Sequence, residues 1–434
     1  MEFDILIVGA GPAGLSAAIR LAQLNQEKQN NLSICVIDKA ASIGAHILSG
    51  AVLEPRALNE LIPNWQEKNA LLNTPVNKDY FYHLSKTGQT RLPKIKSLKN
   101  HGNYIISLGQ FCQWLAQEAE SLGVNIFPGF PAEKILYEND RVIGVQTKDQ
   151  GMDKNGQHTD RFQPGIHLLA KQTLFAEGCR GSLSELLIEH YQLRANADPQ
   201  TYGIGLKELW EIPEEQHQTG SVLHTVGWPL HNDTYGGSFV YQFDNNKVAI
   251  GFVVGLDYKN PYLDPFKTFQ QFKTHPIIRK ILEGGTCIGY GARALNEGGF
   301  QSIPKLTFPG GLLIGCSAGF LNVGKIKGIH NAMKSGMLAA ETIFKSLDAL
   351  NSELSGFENT IKTSWIYRDL KAVRNIRPAF HKGLWKGLAY TAFDQYIFRG
   401  KAPWTLHNKQ KDNETLIPAR KALRINYPKP DGKL

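Results

Sequence analysis

The segment Phe3–Gly14, with the sequence FDILIVGAGPAG, is a short apolar run that ends directly in the pattern G-x-G-x-x-G. In this pattern Gly9 permits a tight turn, Gly11 lets the backbone approach a pyrophosphate, and Gly14 lets the following helix pack closely on the strand. The phosphates of a dinucleotide then lie against free N–H groups at the N-terminus of that helix. The segment therefore predicts a dinucleotide-binding unit at the very start of the fold.

The residues that follow complete a β-α-β unit. The sequence predicts a helix over Leu15–Leu24, a polar loop, and a second strand over Ser33–Ile37 that leads to Asp38. A carboxylate in that position is suited to binding a ribose hydroxyl. Because strand, glycines, helix, strand and acid occur in the required order, a glycine turn without a ligand is the weaker interpretation.

Three further segments rich in small residues predict contacts with the same cofactor. Gly44–Ala51 follows shortly after the acid, and Leu174–Gly181 resembles the strand and glycine turn that many flavoproteins place against a diphosphate and ribose. Gly315–Val323 precedes a predicted helix over Gly328–Ser346, whose N-terminal N–H groups would favour a reduced, anionic flavin ring. Each segment alone is compatible with a plain turn, but their order along one chain favours FAD. The predicted cofactor contacts are Gly9, Gly11, Gly14, Asp38, Ser49, Gly50, Gly178, Gly315, Ser317 and Asn322.

The composition argues against several other kinds of site. The 434 residues, 42% of them hydrophobic, suggest two or three lobes of an ordinary globular protein. The cysteines include no C-x-x-C pair, which argues against a disulfide framework and against a local metal or iron–sulfur cluster. No persuasive Ser/His/Asp or H-E-x-x-H constellation is visible, so no catalytic side chain and no metal site is predicted. His46, His224 and His330 are interpreted as structural histidines.

Positive charge is concentrated at the end of the chain. Residues 360–434 hold 16 Lys/Arg against 5 Asp/Glu, whereas the rest of the chain holds 32 against 34. An anionic partner surface is therefore expected, and the aromatic residues among these cations favour a lipid headgroup layer over nucleic acid. Within this tail, Ala379–Gly400 predicts a helix with one apolar face.

Any membrane contact is expected on one face only. The longest stretch without charged residues, Leu306–Gly324, contains Pro309 and five glycines and predicts no membrane-spanning helix. No signal or transit segment is seen before the first strand. The expected location is therefore the cytoplasmic face of an inner (plasma) membrane, with peripheral attachment.

The middle of the chain predicts a second lobe. Thr201–Val254 is rich in glycine and contains alternating runs such as Ser238–Phe243 and Val248–Val254, which are typical of an antiparallel sheet. Such a sheet would form the wall of a pocket facing the cofactor. The expected fold class is α/β with α+β insertions, in which a Rossmann-like FAD-binding domain of the glutathione-reductase type carries an antiparallel-sheet domain.

Several long strings resemble the electron transfer flavoprotein–ubiquinone oxidoreductase family. They are Tyr235–Phe239 (YGGSF), Gly251–Tyr258 (GFVVGLDY), Tyr290–Pro304 (YGARALNEGGFQSIP), Lys325–Gly328 (KIKG) and Tyr427–Lys433 (YPKPDGK). The resemblance extends from Asp4 to the last residues and is far more specific than the glycine pattern. It implies an FAD domain, a ubiquinone-binding domain, attachment to a membrane surface, electron transfer flavoprotein as the electron donor, and a ferredoxin-like part with a [4Fe-4S] cluster.

By position, the same resemblance places the ubiquinone site at Gly236 and Gly237. A planar ring with two carbonyl acceptors needs close approach to the backbone, and glycine removes the side chain that would block it. The alternative for these two glycines is a plain hairpin turn.

The chain departs from the family at its end and in the flavin region. It stops at Leu434, whereas the family continues into the part that carries four cysteine ligands, so the chain as given is expected to hold no cluster. It is then a fragment or a truncated form, or a separate ferredoxin supplies the cluster. Ala318, Gly324 and Asn331 stand where the family usually shows Pro, Pro and Thr, which bears on the flavin potential and not on flavin binding.

The expected domains are an FAD-binding domain of residues 1–80, 130–190 and 300–350, a ubiquinone-binding domain of residues 81–129 and 191–299, and a basic aromatic tail of residues 351–434. The expected function is a membrane-peripheral FAD oxidoreductase that passes electrons from reduced electron transfer flavoprotein to ubiquinone, with no nucleic acid partner. Two alternatives stay open: an FAD-dependent reductase of isoprenoid double bonds of the geranylgeranyl type, and a flavin-binding scaffold that is inactive without an iron–sulfur partner.

Overall fold

The structure, a computed structural model, describes residues 1–48, 50–430 and 432. Its first sheet has a parallel core with the strand order Asn125–Pro128, Ile34–Asp38, Glu2–Val8, His167–Phe175 and Gly311–Leu313. The antiparallel strands Thr307–Phe308, Arg141–Thr147 and Ala132–Glu138 extend it. Because neighbouring parallel strands end at the same edge, the sheet brings the glycine pattern and Asp38 together.

Helices cover this sheet and bury its apolar strands. Pro12–Lys28, which begins inside the glycine pattern, packs against Ile329–Phe344 and Leu108–Ser121. Gly336 allows the close approach, since a Cβ there would lie 2.2 Å from the main-chain oxygen of Ala13. Arg56–Leu61 and Ser182–His190 are shorter helices of the same lobe.

The second sheet is almost entirely antiparallel. Its order is Thr286–Asn296, Tyr202–Glu211, Lys247–Gly255, Gly236–Phe243, Ser221–Gly227, Lys78–Leu84 and Gln89–Arg91, and only Ser221–Gly227 and Lys78–Leu84 are paired in parallel. The helices Pro265–Lys273 and Pro276–Leu282 pack on one face through Phe269, Phe272 and Ile278.

A small third sheet, Ala51–Leu53, Tyr104–Ile106 and Thr74–Pro75, lies between the two large ones. Its Val52 and Ile105 pack on Val222 and Ala249 of the second sheet. A separate hairpin pairs Gln150–Met152 with His158–Gln163.

The last part of the chain is helical before it becomes extended. The helices are Gly356–Thr363, Trp365–Ala372, Ile376–Ala379 and Leu384–Ala392, followed by a π-helical turn over Phe393–Ile397. Short 3-10 turns occur at Lys96–Leu98, Glu214–Gln216, Phe300–Ser302, Val323–Lys325, Leu347–Ala349, Phe380–Lys382, Asp412–Glu414 and Ala419–Lys421. Among the described residues, no helix combines the length and the apolar character that crossing a bilayer requires.

The expected fold class is confirmed, but two finer expectations differ from the structure. Residues 81–129 do not all join the second sheet, because Leu108–Ser121 and Asn125–Pro128 bury Phe111 and Leu115 in the core of the first sheet. The helix expected over Ala379–Gly400 is interrupted at Gly383, whose φ of +93° is incompatible with a continuous right-handed helix.

Candidate functional site

The three glycines of the first turn have different structural requirements. A Cβ on Gly9, whose φ is +109°, would lie 2.5 Å from the main-chain oxygen of Ala176. A Cβ on Gly14 would lie 2.0 Å from the main-chain oxygen of Gly9. Gly11 differs, because a Cβ there would meet no protein atom within 4 Å. The packing of the protein therefore requires Gly9 and Gly14, whereas Gly11 borders open space at a helix N-terminus that has no side-chain cap among the described residues.

The carboxylate of Asp38 holds this turn in place. Its Oδ2 accepts the N–H of Ala10 at 2.8 Å, and its Oδ1 accepts the N–H of Ala40 at 2.8 Å. Each carboxylate oxygen keeps a further acceptor position. The predicted contact of Asp38 with a ribose stays a prediction, to which the structure adds a positioning role.

The predicted segments around Gly178 and Gly315 are brought together. Ser317 donates from Oγ to the main-chain oxygen of Gly178 at 3.3 Å. The N–H of Gly315 donates to Ser335 Oγ at 2.9 Å, which ties this turn to the helix Ile329–Phe344. Asn322 is fully buried, and its Oδ1 accepts the N–H of Lys325 at 2.9 Å. Asn322 thus shapes the turn before the helix, and its contact with a cofactor stays a prediction, as do those of Gly178, Gly315 and Ser317.

Gly50 lies where the two large sheets meet, and Ser49 falls outside the described residues. A Cβ on Gly50 would lie 2.0 Å from the Cβ of Ala249 in the second sheet. The main-chain oxygen of Gly50 accepts from Lys207 Nζ at 2.9 Å, and that of Leu48 accepts from the same atom at 3.2 Å. Burial and the neighbouring Arg293 guanidinium lower the pKa of Lys207 to about 8.

Arg293 is the second cation that the antiparallel sheet directs toward the first lobe. Its Nη2 lies 3.0 Å from the position that a Cβ on Gly178 would take. The side chain is exposed, and within the described part of the chain no hydrogen bond or ion pair engages its guanidinium. Lys207 and Arg293 were not singled out from the sequence. The sequence feature that could have indicated these two cations is that each alternates with small residues on one of two neighbouring strands.

The residues present fit an anionic dinucleotide such as FAD. Gly11 leaves space for a pyrophosphate beside a helix N-terminus. Two cations without carboxylate partners among the residues described, Lys207 and Arg293, lie beside the predicted cofactor segments at Gly50 and Gly178. Two buried polar atoms in the same region also lack hydrogen-bond partners in the described structure, namely Gln200 Nε2 and Asn331 Oδ1. Buried polar groups are normally satisfied, so these atoms mark positions that a ligand or water completes.

A cluster of acids and one histidine near this region already contains its own cation. Oxygen atoms of Glu54 and Asp369 and the ring of His330 lie within 4.8 Å of one another. Lys325 Nζ lies 3.0 Å from Glu54 Oε2 and 2.8 Å from Asp369 Oδ2. Burial, with two nearby lysines adding to its effect, lowers the pKa of His330 to about 3, so the ring is neutral at pH 7. The cluster is a structural ion-pair network.

Gly236 and Gly237 begin a central strand of the second sheet. A Cβ on Gly236 would lie 2.3 Å from the main-chain oxygen of Val253, and one on Gly237 would lie 2.6 Å from that of Thr225. Both glycines are therefore needed by the sheet itself, whatever they bind. A small hollow opens beside Gly236, lined by Asn232, Thr234, Tyr235, Phe380 and Leu384.

An exposed apolar surface adjoins this hollow. It is formed by Trp385, Phe393, Tyr396 and Ile397, which are 52%, 47%, 52% and 66% exposed. We call it the aromatic surface. Leu384, which lines the hollow, begins the helix that carries Trp385. The exposed cations Lys382, Lys386 and Arg399 lie on the same segment.

Comparisons with known proteins agree with this arrangement. A family model described as the ubiquinone-binding part of ETF-QO matches residues 202–295, and one for an NAD(P)-binding Rossmann-like domain matches residues 7–65. The mitochondrial electron transfer flavoprotein-ubiquinone oxidoreductase of Dictyostelium discoideum is 51% identical over all of this chain and 74% of its own length. The human protein of the same name is 53% identical over all of this chain and 72% of its own length.

Solved structures support the fold at much lower identity. A geranylgeranyl bacteriochlorophyll reductase-like protein from Thermoplasma acidophilum superposes with a TM-score of 0.66 at 18% identity, covering 91% of this chain and 96% of that one. A flavin-dependent brominase superposes with a TM-score of 0.59 at 15% identity, covering 93% of this chain and 91% of that one. These similarities show the fold alone, so they do not favour an isoprenoid reductase over the far more similar relatives. By its identity over its whole length to those relatives, this chain belongs to the electron transfer flavoprotein-ubiquinone oxidoreductase family.

Proposed function

We propose that this chain binds FAD without a covalent bond and passes electrons from reduced electron transfer flavoprotein to ubiquinone. The observation that carries the proposal is the match of residues 202–295 to the ubiquinone-binding family model, in a chain whose first strands form the dinucleotide-binding unit. Relatives with 51% to 54% identity carry the corresponding name. The cofactor supplies the electron transfer itself, and the protein binds and orients it.

The first lobe and two cations of the second lobe form the FAD site. Gly11 and the N-terminus of the helix Pro12–Lys28 hold the diphosphate, where unpaired N–H groups and the helix dipole favour negative charge. Lys207 and Arg293 approach the same cofactor from the second sheet and add positive charge. Asp38 keeps the glycine turn in position through Ala10.

Ubiquinone binds at the mouth of the hollow beside Tyr235 and Gly236, because the hollow itself, with a volume of about 10 Å³, is too small for the ring. The hollow combines apolar walls from Phe380 and Leu384 with the polar side chains of Asn232 and Thr234. The aromatic surface lies in the headgroup layer of a membrane and lets quinone reach the hollow from the lipid, so that the chain is attached at one face. The cytoplasmic face of an inner membrane and a separate ferredoxin that supplies a [4Fe-4S] cluster stay predictions.

The test separates cofactor binding from quinone reduction. The FAD-loaded chain is reduced by light in the absence of oxygen and mixed with a short-chain ubiquinone, and the flavin absorbance is followed. Rapid reoxidation that depends on quinone concentration is expected, together with reduction of the bound flavin by reduced electron transfer flavoprotein. A chain that is reoxidised by ferricenium and not by ubiquinone would contradict the proposal.

A variant of the hollow locates the quinone. Leu384→Trp fills the space beside Gly236, so the KM for ubiquinone is expected to rise at least tenfold while FAD stays bound. Leu423→Trp is the matched control, because Leu423 is 84% exposed and does not line the hollow. An unchanged KM in Leu384→Trp would place the quinone elsewhere.

A further inference from the structure

A buried group of charged side chains lies directly behind the hollow. Gly203 and Gly255 face each other on neighbouring strands of the second sheet. A Cβ on Gly203 would lie 2.6 Å from Glu297 Oε1, and one on Gly255 would lie 2.7 Å from Asp257 Oδ1. The two glycines thus leave room for carboxylates that any side chain would displace.

Arg377 connects these carboxylates with the wall of the hollow. Its Nη2 lies 2.8 Å from Asp257 Oδ1, and its Nε lies 3.5 Å from Glu297 Oε2. Its guanidinium carbon lies 4.0 Å from the centre of the Tyr235 ring, and Tyr235 lines the hollow. The Arg377 side chain is 2% exposed, so the contact lies inside the protein.

Several polar atoms of this group have no hydrogen-bond partner. Within the described residues these buried atoms are Glu297 Oε2, Arg377 Nε and Nη1, and Asp412 Oδ1. Unsatisfied buried polar atoms of this kind are normally completed by internal water. The Arg377 atoms among them belong to the guanidinium that packs on Tyr235, so this polar group reaches the wall of the hollow.

The protonation of these groups differs sharply. Burial raises the pKa of Glu297 to about 7, with Arg377 opposing the rise and Asp257 and Asp412 adding to it. Burial also raises the pKa of Asp412 to about 6. Burial also acts to raise the pKa of Asp257. The bonds of Asp257 with His381 and Arg377 outweigh this effect and hold the pKa of that carboxyl well below its usual range.

A route leads from this group to solvent. His381 Nδ1 lies 3.3 Å from Asp257 Oδ2, and the His381 side chain is 35% exposed. The His381 ring also contacts Asn408 Oδ1 through Nε2 at 3.2 Å, which fixes its orientation. His381 therefore connects solvent with the contact series of Asp257, Arg377 and Glu297.

We propose that Glu297 is the proton reservoir for quinone reduction at the hollow, refilled from solvent at His381, which Asp257 holds in position, an inference that rests on the proposed function. Reduction of ubiquinone to ubiquinol takes two electrons and two protons. Bound FAD would supply both electrons and one of the protons. The other proton leaves the Glu297 carboxyl, crosses internal water past Tyr235 to a quinone oxygen, and is replaced from solvent, so Glu297 is unchanged after each turnover.

The first test compares Glu297→Gln with the parent. Both are loaded with FAD and photoreduced, and their reoxidation by a short-chain ubiquinone is followed between pH 6 and 8.5. The parent rate is expected to fall as the pH rises through about 7, since the carboxyl then loses its proton. The variant is expected to react at least tenfold more slowly at pH 6 and to show no such fall, while its reoxidation by ferricenium, which takes up no proton, equals that of the parent.

A control and an independent measurement complete this test. Glu208→Gln removes another buried glutamate of the second sheet, which is paired with Lys273 at 3.0 Å, and is expected to keep the parent's pH dependence. Infrared spectra of the chain without quinone are expected to show a protonated-carboxyl band that titrates near pH 7 and is missing in Glu297→Gln. A Glu297→Gln variant with the parent's rate and pH dependence would overturn the inference, whereas a parent that ubiquinone does not reoxidise would overturn the proposed function instead.

A second variant serves if Glu297→Gln does not fold. His381 is partly exposed, so His381→Ala removes the solvent end of the route with little effect on packing. Its ubiquinone-dependent rate is expected to fall at least fivefold and to recover when imidazole is added. No loss of rate in His381→Ala would overturn the route proposed here.

Discussion

Lys207 Nζ donates to the main-chain oxygen of Gly50 at 2.9 Å, and this bond joins the strand Tyr202–Glu211 of the second sheet to the loop that follows the strand of Asp38. The lysine is half-buried, and its Nζ lies 5.6 Å from the centre of the Phe239 ring. No carboxylate among the described residues forms an ion pair with it. A partly desolvated cation without an anion costs free energy, which a bound anionic cofactor would recover.

Lys207→Met is therefore expected to weaken FAD binding about tenfold, or about 1.4 kcal/mol. The parent's affinity is expected to fall as the pH rises above about 8, because the free protein's ammonium then loses its proton and its attraction for the diphosphate, and the variant should lack this fall. Quenching of FAD fluorescence on binding measures the affinity and its dependence on pH. Lys78→Met, at an exposed position, is the control, and equal affinities across the pH range in all three proteins would contradict the role of Lys207.

Arg293 is expected to bind the cofactor through charge. Arg293→Met should lower the affinity for FAD about tenfold at low salt and reduce its dependence on salt, since exposed charges are screened at high ionic strength. Arg293→Lys should recover part of the loss. Titrations at two salt concentrations check this, with Arg161→Met on the exposed hairpin as the control. A Met variant with the parent's salt dependence would show that Arg293 does not face the diphosphate.

Gly11 offers a direct test of the pyrophosphate position. Gly11→Val introduces a side chain that contacts no protein atom at its Cβ, so the chain should fold with the parent's thermal stability. The side chain would occupy the space of the pyrophosphate, and FAD affinity is expected to fall at least a hundredfold, about 2.7 kcal/mol.

Gly356→Val is the matched control for this change. A Cβ on Gly356 also meets no protein atom within 4 Å, and it lies at the start of a different helix. Flavin content after purification and a binding titration compare the two variants. Normal FAD binding by Gly11→Val would remove the basis for placing the diphosphate at this turn.

The aromatic surface is expected to attach the chain to membranes. Trp385→Glu combined with Phe393→Glu should release the protein from anionic liposomes without loss of FAD, because charged side chains oppose insertion at the headgroup layer. High salt should reduce the parent's binding without abolishing it, since each nearby cation contributes about 1 kcal/mol and only that part is screened.

Liposome flotation checks the membrane prediction. Leu186→Glu combined with Met152→Glu is the matched control, since both residues are exposed apolar positions outside the aromatic surface. If the Trp385/Phe393 double variant floats with liposomes as completely as the parent, another surface carries the attachment.

Local patterns in the sequence were sufficient for the fold class and the family. The run Phe3–Gly14 predicts its own strand, turn and helix, because the required glycines lie within a few residues of the atoms they must approach. Alternation in the middle of the chain likewise predicts the strands of the second sheet, which appear as Gly236–Phe243 and Lys247–Gly255. The membership of the chain in its family rests on strings of this kind.

The domain limits and the interrupted helix depended on longer-range packing. Leu108–Ser121 is amphipathic in the sequence, but only the structure shows that its apolar face lies in the first core. The turn at Gly383 likewise separates two helical segments that the periodicity of apolar residues joins into one.

The sequence by itself determined a dinucleotide-binding α/β lobe, an antiparallel sheet with two adjacent glycines, and a basic aromatic tail, since each depends on contacts between near neighbours in the chain. Only the tertiary structure decided that Lys207 and Arg293 of the second sheet face the first lobe and that Glu297, Asp257 and Arg377 meet behind the hollow. Strand register and helix packing bring these residues together from distant parts of the chain, and no local pattern specifies such a register. The charges of Glu297, Asp257 and Arg377 are costly to bury, so their convergence is the feature of the fold that calls most directly for a functional test.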